Sequence, residues 1–525
     1  MQLTMKIQRT LLLAFCIIGI LKSGKSQVVY TISDNPKDSI KAYKKKVLEN
    51  TEVDFLMSLY GQDGVHSPVN GGIGTEKLSD QTAAIIISIP LNADDVLTVD
   101  AGISAYTSAS SSNVNPFMNS TSTPLKSLSW GIKGLVASGA SGGGGGGGGG
   151  GNTGGGGGPV PIQNAVNPVG TPWLASTGAS HAEKLKSLST TYSHSSDDRN
   201  LIWGSNISLS SEFTYSSFGF GGNVTKLYNE KNTEIGLKGS VFLDQWRRIY
   251  PTELKEYQLI GDGFQYLGYF AGVNILDQSG KTITSTDYLP SGFKPWANAG
   301  RNSYSMSFYV SQIVSKKFQA ALFFDLVLQQ GMLSTPYHRI YFADKPHYYI
   351  GTASDIAHYT SSANTGVYQL ADAIETLPNT RFKIPLGIRM NYFINEMFVF
   401  RSYYRYYYDD WGLQAHTVNL DLPVKLSKAF TFTPSFRFYS QGQVNYFGPY
   451  LSHLSTEKYF TSDYDLSKFV SKQYSVALGY TDIFTQFKIR SLALKSVNLK
   501  YSHYDRSDGL TANIVSLGVK FVDGN

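Results

Sequence analysis

The chain has 525 residues, with 45 Lys and Arg against 39 Asp and Glu, 13% aromatic residues including 35 tyrosines, and a single cysteine. Without residues 1–26, read below as a signal peptide, 41 basic side chains face 39 acidic ones, a balance that gives no support for nucleic-acid binding. Cys16 leaves with that segment, so disulfides, thiolate metal sites and thiol nucleophiles are excluded from the mature chain.

At the N-terminus Lys6 and Arg9 precede an apolar run, Leu11 to Leu21, of signal-peptide rather than membrane-span length. Gly24 and Ser26 place small residues at −3 and −1 of a cut before Gln27. Residues 27–50 read as a charged periplasmic segment, and no other stretch approaches 18 continuous apolar residues. From residue 51 the chain becomes a series of two-faced segments. The clearest is 381–392, where Phe382, Ile384, Leu386, Ile388, Met390 and Tyr392 alternate with Arg381, Lys383, Gly387, Arg389 and Asn391. Successive side chains of a strand point to opposite faces, so this is a strand with one apolar and one polar side, about as long as a tilted bilayer crossing requires.

Similar patterning predicts strands at about 52–62, 82–91, 95–107, 184–195, 200–210, 214–228, 232–245, 302–315, 317–330, 381–394, 397–410, 412–426, 428–443, 472–482, 494–506 and 511–522. Tight turns such as Asn92-Ala-Asp-Asp95, Asn229-Glu-Lys-Asn232 and Asn395-Glu396 alternate with long loops at roughly 63–81, 108–183, 246–301, 331–380 and 444–471. With the N-terminus inside, the tight turns fall on the periplasmic side and the long loops outside. The expected fold is therefore all-β: a transmembrane antiparallel barrel over 51–525 of about 16 strands, with 14 and 18 as the alternatives. The weakest stretch is 482–494. Tyr403, Tyr404, Tyr406, Tyr407, Tyr408 and Trp411 crowd one strand end, as an aromatic belt at the headgroups would.

Within the 108–183 loop, Gly142–Gly151 and Gly154–Gly158 frame Asn152-Thr153. Glycine offers no side chain to bury and maximal backbone entropy, so the tract reads as an extracellular spacer. A phosphate cradle would need a preceding strand, a following helix and a Lys-Ser/Thr pair, none of which is present. Gln62-Asp-Gly64, Gly71-Gly-Ile-Gly-Thr75, Ala105 to Ser111, the poly-glycine loop, Leu333-Ser-Thr-Pro-Tyr-His-Arg339, Asp409-Asp-Trp-Gly412 with Ala415-His-Thr417, and Ser462-Asp-Tyr-Asp-Leu466 together resemble a Gram-negative outer-membrane β-barrel family of unknown function. That resemblance implies outer-membrane lipid as surroundings and an exported flavoprotein or lipoprotein as a partner in extracytoplasmic redox traffic. Gly518 and Phe521 resemble the C-terminal signal read by the barrel-assembly machinery, although Asp523 stands where an apolar residue is usual.

No nucleophile elbow or hydrolase block is present, so no enzyme and no cofactor are expected. Asp409, Asp410 and His416 flank one outer turn and could form an oxygen/nitrogen metal site, but such residues are more often solvated rim groups. His338, His347 and His358 share one loop at spacings that do not suit joint ligation, and no metal is expected there. If the alternation holds, Lys383, Arg389, Arg401, Arg405, Arg437, Lys500 and Lys520 point inward, opposed by Glu234, Asp244 and Asp325. Such a set is either a basic ladder favouring anions or a salt-bridged wall that stiffens the barrel. The expected function is a channel or transporter for small solutes with a loop-constricted lumen, the alternative being a closed barrel serving as scaffold or component of a redox or secretion assembly.

Overall fold

The alternation at 381–392 is one panel of a continuous cylindrical wall. The computed structural model describes residues 46–110, 183–212, 215–284, 286–290, 293–359, 366–484 and 486–524. The expected signal peptide, most of the 27–50 segment and the poly-glycine tract lie outside the described residues. Sixteen strands build the wall: β1 (Glu52–Asp63), β2 (Glu76–Pro90), β3 (Asp95–Ser110), β4 (Glu183–Ser195), β5 (Leu201–Ser211), β6 (Tyr215–Tyr228), β7 (Thr233–Trp246), β8 (Gly300–Ser315), β9 (Phe318–Gly331), β10 (Thr380–Phe393), β11 (Val399–Asp409), β12 (Gln414–Asp421, resumed at Val424–Lys425), β13 (Phe430–Gln441), β14 (Phe469–Thr481), β15 (Leu492–Arg506) and β16 (Thr511–Asp523). Each pairs antiparallel with the next in sequence. β1 closes on β16 from Glu52↔Val522 to Asp63↔Thr511. Closure leaves no bare strand edge, the condition a sheet must meet to survive in hydrocarbon.

One face of this wall is apolar and exposed. Leu386, Leu322, Ile207, Phe324, Phe432 and Tyr474 all stand on the outside. Burial is inverted relative to a water-soluble protein, and the packed apolar core lies in the long connections instead. There Leu254, Phe264, Phe270, Ile275, Phe342, Ile350 and Leu370 are fully or almost fully buried. These connections all emerge at one end, which we call the loop end, and the other end carries the tight turns. The β7–β8 loop contains a helix, α1 (Thr252–Ile260), and the β9–β10 loop contains short strands, including Arg339–Ile340 paired with Ala373–Ile374. Together with the β1–β2 and β13–β14 loops they form a folded cap.

Two local departures from the sequence expectation have physical causes. β2 starts at Glu76 rather than near 82, because outward-facing Lys77, Ser79 and Gln81 are polar and the apolar alternation begins only at Ala83. β12 is interrupted at Leu422–Pro423, where proline supplies no N–H to the ladder. Region 482–491 is a turn-end connection between two genuine strands, which settles the count at sixteen.

Candidate functional site

Register brings the inward side chains of β10 to β13 into three rows. One row reads Asn391, Arg401, Asp421 and Ser435; the next reads Arg389, Tyr403, Asn419 and Arg437; the third reads Gly387, Arg405, Thr417 and Tyr439. Rows two residues apart on a strand are separated by about 7 Å. Arg389, Arg401, Arg405 and Arg437 thus descend the wall as a ladder and border one cavity of about 680 Å³ with Asn391, Tyr403, Asn419 and Asp421. Among the described residues, none of these four guanidinium groups has a carboxylate within ion-pairing distance. The Arg389 guanidinium carbon lies 5.7 Å from the centre of the Tyr403 ring. Tyr403 in turn stacks on Phe323 at 5.5 Å. Gly387 makes this stack fit, since a Cβ there would come within 2.1 Å of the Phe323 ring and 2.7 Å of the Tyr404 carbonyl.

Toward the loop end a second cavity, about 400 Å³, shares Arg405 and Arg437 with the first. Its walls include Tyr60 of β1, Glu76 of β2, Tyr439 of β13 and Tyr504 of β15, and its roof is Asp465 and Leu466 of the cap. Polar contacts clamp that roof to the wall. Arg506 Nη1 donates to Asp465 Oδ1 at 2.5 Å, and Gln441 Nε2 donates to the carbonyls of Asp465 and Ser467 at 2.9 and 2.6 Å. Beside it Arg381 donates through Nε (2.8 Å) and Nη2 (2.5 Å) to Asp409 Oδ2, and Trp411 Nε1 donates to the Thr380 carbonyl. Tyr407, Trp411, Leu413 and Ala415 of the wall region then pack with Leu377, Val444 and Leu466 of the cap.

The other inward-facing charges behave differently. Lys520 Nζ contacts Glu52 at 2.8 Å and Asp54 at 3.1 Å. Asp244 is buried with Arg301 3.8 Å away. Glu234 accepts from Tyr309 Oη at 2.6 Å. Lys383 is buried close beneath the cap, directly opposite Asp409 across the β10–β11 ladder. Lys500 shares its face with Ser502 and Tyr504, and Asp325 shares its face with Phe323 and Gln329. Glu234, Asp244 and Asp325 therefore sit on β7 and β9, away from the arginines of β11 and β13, whereas Asp421 of β12 lies opposite Arg401.

Asp409, Asp410 and His416 do not converge. The Asp409 carboxylate is consumed by Arg381, the Tyr407 hydroxyl and the N–H groups of Trp411 and Leu413. Asp410 Oδ1 accepts from Phe382 N, and His416 lies on the outer face of β12 against Tyr404 and Tyr406. A different trio meets instead: His338, Glu375 and Asp463 are buried in the cap with one donor atom from each within 4.8 Å of the others. Spacing along one loop could not reveal it, since Asp463 arrives from another loop. Burial also pushes the Asp372 carboxyl of the cap up to about 7, although Phe342 N donates to it at 2.8 Å.

A closed antiparallel wall with an apolar exterior, a polar charged lumen and a cap of long loops at one end defines an outer-membrane-type β-barrel. Residues 162–492 match the family described as "Protein of unknown function (DUF3570)", and the chain belongs to that family. No curated protein matches it. Among solved structures it is similar to a bacterial polysaccharide outer membrane secretin (8% identity, covering 89% of this chain and 97% of that one, TM-score 0.34). It is also similar to a TodX monoaromatic hydrocarbon channel mutant (8%, 91% and 90%, 0.34) and to Pseudomonas aeruginosa OccK2 in complex with glucuronate (8%, 91% and 98%, 0.34).

Proposed function

We propose that this protein resides in the Gram-negative outer membrane as a channel or transporter for small anionic solutes, with its long loops outside the cell and constricting the entrance. The observation that carries this reading is the contrast between two sets of inward cations. Arg506, Arg381 and Lys520 are each matched by carboxylates, as a stiffening wall requires. Arg389, Arg401, Arg405 and Arg437 are not, and they border open space. Four guanidinium groups share this wet cavity with a single carboxylate, Asp421, so its net charge is positive; it attracts anions and disfavours cations, and the planar donors suit carboxylate or phosphate oxygens. The shared border at Arg405 and Arg437 offers a continuous basic path from beneath the cap toward the turn end.

The packed core of the cap favours a second reading, a closed barrel serving as scaffold or as one component of a redox or secretion assembly with an exported flavoprotein or lipoprotein. Conductance in planar bilayers separates the two. A channel gives stable anion-selective steps, and R401E/R405E lowers its anion-to-cation permeability ratio several-fold. Conducting variants with unchanged selectivity would remove the ladder from the mechanism. Electrical silence of correctly folded protein would favour the closed barrel.

A further inference from the structure

The cap contains a polar nucleus that the passage of solutes does not use. Arg339–Ile340 pairs with Ala373–Ile374, and this small ladder sets His338 beside Glu375, whose N–H donates to the His338 carbonyl at 2.9 Å. Thr376 and Phe460 exchange backbone hydrogen bonds of 3.1 and 2.8 Å, which carries the 442–468 loop to the same point and delivers Asp463. His338 and Asp463 lie in two of the sequence segments that mark the family resemblance, and the proposed passage accounts for neither.

Their surroundings are pre-arranged. Glu375 Oε1 accepts from Thr335 N at 2.7 Å, and Oε2 accepts from Thr461 Oγ1 at 2.6 Å, with His338 Nδ1 3.4 Å away. Asp463 Oδ1 accepts from Asp465 N at 2.9 Å. Glu375 and Asp463, though not His338, also border a small cavity of about 20 Å³, room for one water or one ion. Arg301 and Arg381 border the void too, but each faces its own carboxylate, Asp244 and Asp409. Among the described residues, His338 is the one cationic group within ion-pairing distance of either buried carboxylate. A buried negative pair is stable only when a cation or a proton balances it.

We propose that His338, Glu375 and Asp463 bind one divalent transition-metal ion of the zinc class, which ties the β9–β10 loop to the β13–β14 loop inside the cap. One imidazole nitrogen and two carboxylate oxygens suit zinc, with a water in the void completing the coordination. Ligand atoms about 2.1 Å from a shared ion stand no more than about 4.2 Å apart, so the trio closes by under about 1 Å through side-chain rotation. The site is a staple rather than a catalytic centre, since the cap encloses it. It does not depend on what, if anything, crosses the lumen.

The test uses full-length protein in detergent, stripped with a chelator, desalted and titrated with zinc chloride. Wild type is expected to retain one zinc per chain after desalting, and zinc is expected to slow proteolysis of the cap loops at least ten-fold. H338Q and D463N, which keep hydrogen-bonding groups in place, are expected to lose both effects while the barrel stays folded. Cobalt(II) gives a reading on wild type alone: one equivalent should produce a visible ligand-field band that one equivalent of zinc abolishes. Absence of stoichiometric zinc and of the cobalt band in wild type overturns the proposal, as does equal zinc retention by folded H338Q and D463N. Either result would leave a proton on the trio as the balancing charge.

Discussion

The fully buried ion pair between Arg339 and Glu253 offers the most direct handle on the cap. Arg339 Nε and Nη2 donate to the Glu253 carboxylate at 2.7 and 3.2 Å, Nη1 donates to the Val69 carbonyl at 3.1 Å, and neither side chain touches solvent. Three loops meet there: Val69 from β1–β2, Glu253 from the first turn of α1, and Arg339 from β9–β10. Glu253→Gln keeps the volume and one acceptor but leaves a guanidinium charge uncompensated in a dry interior. Breaking one side of a buried pair costs about 3–5 kcal/mol. At about 1.4 kcal/mol per decade this raises the open-cap population roughly a hundred- to several-thousand-fold. Limited proteolysis of the loops, run where cleavage tracks the open population, reads that change. Heat-modifiable gel mobility reports separately on the barrel and should not change. The paired substitution E253L/R339M removes both charges and should recover most of the protection, because an apolar pair of similar volume replaces a buried ion pair at little or no loss. Cleavage of E253Q within about three-fold of wild type, or no recovery in the double variant, would refute the assignment of the pair as the cap's fastening.

Further expectations concern wall and cap separately. Leu386 faces outward near the middle of β10, so Leu386→Arg should destabilise barrel folding in lipid vesicles by about 2–4 kcal/mol, as read from denaturant titrations, whereas an effect near zero would place that face away from hydrocarbon. Asp372 titrates at about 7 in the folded cap, against about 4 in an unfolded chain. Between those values the folded state holds a proton that the unfolded state has released, so cap stability declines as pH rises through the window and levels off above it. Asp372→Asn should flatten this dependence and stabilise the cap at pH 8 by up to about 4 kcal/mol. Protease resistance that does not change between pH 4 and pH 8 in wild type would contradict it.

The wall was legible because lipid imposes a simple rule on it. Phe382, Leu386 and Tyr392 had to alternate with Arg381, Lys383 and Arg389 for the strand to have one face in hydrocarbon and one in water, and that rule survives in the letters. It fades where the rule stops. At Lys77, Ser79 and Gln81 the outward face of β2 is polar, and the strand runs on beyond the apolar band with nothing in the pattern to mark it. The cap was not legible beyond the length of its loops. Its contacts join positions such as Val69 and Arg339, or Glu375 and Thr461, whose separation in sequence carries no periodicity. His338 looked isolated for the same reason, since its neighbours are Glu375 and Asp463 rather than His347 and His358. The arginine ladder lies between these extremes: alternation assigned its side of the sheet, but only the register showed that four of its members share one space.

The arrangement of the cap also orders events during biogenesis. The cap is assembled from four segments that occupy different quarters of the polypeptide and that strands hold at one rim. Those segments meet only when β1 has found β16 and the cylinder is complete. Sealing therefore follows closure of the cylinder, and damage to the seal should leave that closure untouched.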